Sequence, residues 1–168
     1  MVAIDVKMTK KAMFDFMLYT SYTSFSGLSG GVFGVITLML AVRTMMSGNP
    51  SAAAPFVLCT ILFLVAIPMQ MKMRANEQVL RTPMFQKPIH YELTEEGVKV
   101  SQDGASAVNA WEDFRKAVST GQSVILYITK ARAIILPKES IGEDYQAVVK
   151  MISTHMPPKK VKIRHVSA

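Results

Sequence analysis

Cysteine is nearly missing. The 168 residues contain a single one, Cys59, so no internal disulfide can form. It stands in an apolar stretch with no histidine to activate it and reads as a small buried hydrophobe. Histidine is scarce too: His90, His155 and His165 stand far apart. No zinc spacing, P-loop, dinucleotide fingerprint or nucleophile elbow occurs. Glu95–Glu96 and Glu112–Asp113 are adjacent carboxylates in turn-like surroundings, where acids are ordinary. His90 and Glu92 share a strand face, but two side chains are too few for a metal site. The expectation is a protein that is not an enzyme and has no cofactor and no metal.

Charge is absent from two long runs. None falls between Phe16 and Val42; after Arg43, none falls between Thr44 and Met71. A helix crosses the hydrocarbon core of a bilayer with roughly 20 apolar residues. Ser24–Val42 and Ala53–Met71 meet that length. The first begins too far into the chain, and lacks the cleavage site, for a signal peptide. Gly48, Asn49 and Pro50 between the runs are turn residues, so an antiparallel hairpin is expected over residues 24–71. Within the first span Gly27, Gly30, Gly31 and Gly34 repeat at helical spacing and admit close approach of a neighbouring helix, either the second span or another copy. Pro68 is expected to kink the second span. Met69, Met71 and Met73 read as apolar filler rather than copper ligands, because residues two apart on a helix face different ways.

Lysine and arginine set the orientation. Lys7, Lys10 and Lys11 precede the first span, and Lys72, Arg74, Arg81 and Lys87 follow the second; the loop carries only Arg43. Both termini are expected in the cytosol. Of the 19 basic and 12 acidic side chains, four and two lie in residues 1–71, leaving 15 and 10 beyond. Most of the net charge of +7 therefore lies after residue 71. That fits anionic lipid, through Lys72, Arg74, Lys159, Lys160, Lys162 and Arg164, better than nucleic acid.

From Lys87 the apolar period becomes two. PIHYEL, VKVSQ, ASAVNAW, DFRKAVST, SVILYIT and RAIILP read as strands, with turns at TEEG, Asp103–Gly104, Gly121–Gln122 and near Lys130–Ala131. Ser140 and Glu143 have the spacing of a capping box, and Tyr145, Val148, Val149 and Ile152 form the apolar face of a closing helix. Pro157 and Pro158 end it, and residues 157–168 read as a loose basic tail. At the other terminus Val2, Ile4, Val6 and Met8 alternate with polar positions, a strand that needs partners from the later sheet. Residues 1–23 are thus a strand and a lead-in helix, and 72–156 a cytosolic β domain. The fold class is membrane α+β: a two-helix hairpin plus about seven antiparallel strands closed by a helix. The only tryptophan, Trp111, is expected with Phe114 to anchor a strand junction in the core, or else to be a partner hot spot.

Two spans followed by HYELTEEGVKVS, AWEDFRKAV, ILYIT and AIILPKES resemble the YcxB-like family of bacterial membrane proteins over nearly the whole chain. The strand count with a C-terminal helix resembles the pleckstrin-homology-like plan. The resemblance implies a bacterial inner-membrane protein with a cytosolic C-terminal domain and no assigned activity. Phosphoinositide recognition is not carried over, because the TEEG loop is acidic where such sites are basic. Two functions follow. One is a membrane-tethered cytosolic module that binds a protein partner or its own copy. The other is immunity or small-solute handling by the hairpin; its lack of intramembrane ionisable groups argues against transport. A reporter fused after residue 168 is expected to be active only in a cytosolic form, and one inserted at Gly48 only in an exported form. A periplasmic signal from the C-terminal fusion rejects this orientation.

Overall fold

The computed structural model describes residues 1–130 and 132–163; Ala131, in the turn expected before the last strand of the domain, and Arg164 and His165 of the expected tail lie outside them. The chain divides into two compact units, one of residues 17–75 and one of residues 1–16 with 76 onward.

In the first unit, helix α1 (Lys10–Tyr22) runs in from the other unit, and Thr23–Ser24 separates it from α2 (Phe25–Met46). The Ser24 hydroxyl caps α2 by accepting from Gly27 N–H, and Asn49 caps α3 (Pro50–Ile61) by accepting from Ala52 N–H. A π-helical stretch, Leu62–Ala66, joins α3 to α4 (Ile67–Arg81). Around Pro68 the helix widens without breaking: Pro68 has no N–H for the carbonyl four residues back, and in the turn before it Ile67 N–H reaches Leu62 O. The second long helix therefore runs from Pro50 to Arg81, well past the expected end at Met71.

Both long helices are long and apolar enough to cross a membrane. Only 17% and 6% of their most apolar windows is buried, so they are not core helices within this chain. They pack on each other through Gly30, where a Cβ would meet the Phe63 ring at 3.6 Å, and Gly34, where it would press on Leu64 at 2.7 Å. Phe33 meets Phe63 edge-on at 5.2 Å, and the Thr37 and Thr60 hydroxyls bond at 3.1 Å. Small residues and a shared hydroxyl bond hold apolar helices together where burial of oily surface gives no drive.

The second unit is a β structure. After the short helix α5 (Pro83–Gln86) come β2 (Ile89–Leu93), β3 (Gly97–Gln102), β4 (Ala105–Ala110), β5 (Lys116–Ser119), β6 (Ser123–Tyr127) and β7 (Ala133–Pro137). The N-terminal β1 (Val2–Val6) pairs antiparallel with β2, from Val2↔Leu93 to Val6↔Ile89. One sheet is ordered β1-β2-β3-β4, the other β7-β6-β5-β8, where β8 is Val161–Lys162. Asp103 (φ 51°) and Gly104 (φ 83°) make the tight β3–β4 turn, a left-handed pair that Asp-Gly suits. At Gly97 any Cβ would collide with the Asn109 carbonyl oxygen. The core between the sheets holds Ile4, Val6, Ile89, Leu93, Val98, Phe114, Leu126 and Leu136, closed by Val148 and Ile152 of α7 (Tyr145–His155). On the other side of β6, Phe16 of α1 lies 5.9 Å from the Tyr127 ring, and the Thr120 hydroxyl donates to Asp15.

Three expectations are corrected. The strands number eight among the described residues, because Val161–Lys162 forms β8, parallel to β5. The basic tail is therefore anchored at its start, with Ile163 buried behind it. The capping box does not form: Ser140 lies inside α6 (Lys138–Ile141), and Gly142 at φ 54° breaks that turn before α7 begins. The Asp144 cap of α7 makes no side-chain bond.

Ile4 is 4% exposed in the core, so Ile4→Asp is expected to destabilise the β unit by about 3 kcal/mol or more. Limited proteolysis of the full chain reads this as faster cleavage after residue 88. Unchanged resistance would remove β1 from the cooperative sheet.

Candidate functional site

Among the described residues β4 is an edge strand of one sheet and β7 of the other, each paired on one side only. Residues of both line a cleft of about 370 Å³, Ala107 and Asn109 from β4 and Ala133, Ile134 and Ile135 from β7. The register explains one wall. Tyr91 pairs with Val100 and Val100 with Ala107, so these side chains form a row across β2, β3 and β4. The row shrinks toward the edge and leaves space beyond Ala107. Met13 and Phe16 of α1, Met84 and Phe85 of α5, Gln78 and Ile128 complete the lining.

The cleft is apolar with few polar groups. Tyr91 is 4% exposed, and burial pushes its hydroxyl pKa up to about 12, so it stays a neutral donor. Arg132 is exposed and carries the one formal charge in the lining; no acid lines the cleft. Its guanidinium forms no ion pair among the described residues. Sequence reasoning missed these residues. The available signal was β4 itself, ASAVNA, an edge strand without the charge or proline that usually protects one.

Below the cleft-bearing edge, Trp111 and Phe114 stand where β4 passes through a 3-10 turn (Trp111–Asp113) into β5. Both are buried. Trp111 donates its indole N–H to Thr94 O at 3.0 Å and stacks on the His155 ring at 5.2 Å. They are core anchors, closed over by α7, and do not present an aromatic surface. His155 Nδ1 bonds Met151 O at 2.9 Å and Nε2 bonds Glu95 at 2.7 Å. The Met151 carbonyl foremost, then Glu95, raise its pKa. On the outer face of the same sheet Asp5 foremost, helped by Glu92, raises that of His90.

That order of elements, from β3 through the tryptophan turn and paired apolar strands to a closing helix, has a counterpart. Residues 93–152 match the YcxB-like protein family. The YcxB-like segment holds β3 to β7 and most of α7, and with them Val100, Ala107, Asn109, Trp111, Phe114 and Arg132. It does not extend over the whole chain: β1, α1 and the long helices lie outside it. No curated protein and no solved structure matches the chain.

The other expected residues are dispersed. Gly30 and Gly34 face the second long helix, whereas Gly27 and Gly31 face Ser21 and Tyr22. Lys72 and Arg74 are exposed on α4 and Lys159 and Lys162 are exposed after the YcxB-like segment. Lys160 is instead structural, donating to Phe114 O at 3.0 Å. Arg164 lies outside the described residues. Among the described residues no three His, Cys, Asp or Glu side chains gather as metal ligands.

The raised His155 pKa has a definite sign. Its stabilisation is complete below the unfolded value of 6.5 and is lost as pH rises through the folded value. His90 contributes in the same direction. The melting temperature of the full chain is expected to fall over that rise in pH, and the fall to shrink in His155→Gln. An equal pH dependence in both proteins would mean that the His155 contacts with Met151 and Glu95 contribute nothing.

Proposed function

We propose that the chain is a membrane-tethered binding module. The long helices cross the bacterial inner membrane as a hairpin with both termini in the cytosol. The β unit, on a pleckstrin-homology-like plan, binds a protein partner or its own copy. The carrying observation is the open cleft between two unpaired sheet edges, inside a unit that otherwise has a closed core. A cleft with no convergent nucleophile, base or metal set among the described residues is equipped to bind rather than to react.

The orientation draws support from β1. Val6 and Ile89 are register partners, so the intervening segment begins and ends side by side. A segment pinned in this way crosses a bilayer an even number of times or not at all. The plan draws support from a four-strand meander, a second sheet and the helix α7 that closes them. Exposed Lys72, Arg74, Lys159 and Lys162 would each add about 1 kcal/mol of attraction to an anionic leaflet nearby. Holding the module at the membrane raises its effective concentration for membrane-bound partners.

The test is an exchange. Ser24–Met71 is replaced by an unrelated two-span hairpin of the same orientation, with the remainder kept. Retained partner capture or phenotype is the expected result. Loss with normal folding and insertion would place recognition in the hairpin, as in an immunity or solute-handling protein.

A further inference from the structure

We infer that the cleft takes an extended peptide, which pairs with β4 as an added strand and sets an acidic side chain against Arg132. This rests on the binding-module reading and names the class of partner.

The wall row Tyr91, Val100, Ala107 diminishes toward β4 and stops there with space beyond it. The residue that would continue the row belongs to a strand lying beside β4. Main-chain groups along the outer side of β4 have no strand to meet, since β4 is the last strand of its sheet. Strand addition satisfies such groups and gives affinity, while alternate side chains enter pockets and give specificity. The inward side chains of an added strand would enter the cleft, whose apolar floor includes Ile134 and Ile135. Their size and polarity fix the preference: apolar at alternate positions.

Charge selects further. Arg132 is exposed, unpaired among the described residues, and faces a lining without acids. Lys130 on the same turn is also exposed. A peptide carboxylate would supply the missing partner, and the planar guanidinium suits bidentate binding to it. A fatty acid would match the charge and the apolar floor, but it has no row of donors and acceptors for a strand edge. β4 also carries no lysine, proline or bulge to repel a strand.

The experiment uses the full chain in lipid nanodiscs as bait for phage-displayed random short peptides. Enrichment of sequences with alternating apolar residues and an acid is expected. In a synthetic peptide of the enriched sequence, N-methylating alternate amides should weaken binding about tenfold or more, because main-chain donors are lost while side chains stay. Arg132→Glu is expected to weaken the same peptide about tenfold and to turn selection toward basic sequences. Ala107→Trp, which fills the end of the row, should abolish binding. No enrichment, or binding indifferent to N-methylation, overturns the inference. So does a fatty acid that copurifies with the protein and is lost on Ala107→Trp. The two readings fail separately. A partner that still binds the hairpin-exchanged protein but ignores Ala107→Trp leaves the module standing and removes the cleft. Peptide binding that survives while the exchanged protein loses its function does the reverse.

Discussion

The pairing of β1 with β2 is the constraint on which the rest of the architecture depends. A strand at residues 2–6 finds its partner at residues 89–93, with the whole helical unit inserted between them. Ile4 and Val6 belong to the same buried cluster as Leu126 and Val148, so the core is incomplete until that long loop closes. Closure of a flexible loop grows costlier only slowly with its length. Here the insertion is itself folded, with its ends held by helices rather than by slack chain. The β1–β2 seam thus joins two ends of the β unit that the helical insertion separates in sequence.

Much of this was legible because it is local or periodic. The alternation of Val2, Ile4 and Val6 marked β1, and Asp103–Gly104 marked a turn that only positive φ can make. The apolar stripe of α7 at Val148, Val149 and Ile152 gave a closing helix. What failed depends on distant partners or on competing local signals. Val161 and Lys162 sit in a basic run with no strand pattern, and only the parallel edge of β5 makes them a strand. Ser140 and Glu143 satisfy a spacing rule, but Gly142 between them takes a conformation that ends a helix. The cleft was invisible for a related reason. Tyr91, Val100 and Ala107 are neighbours by register alone, and register follows from pairing, not from spacing along the chain.

The two sheets handle their margins differently. β8 covers the β5 margin, with Val161–Lys162 beyond the 3-10 turn that follows α7. The β4 margin carries only uncharged side chains, five of the six exposed on one strand face or the other. Proteins commonly guard such a margin against other chains. An unguarded one beside a cleft leaves main-chain groups open to another chain.

Trp111 is the sole indole in the chain, and its ring lies parallel, within 16°, to the imidazole of His155. A protonated imidazole in contact with an excited indole takes up its electron and quenches its emission. The tryptophan emission of this protein therefore comes from one place, stacked on one imidazole. It brightens when the ring of His155 loses its proton or when α7 swings away, with no dye and no added label.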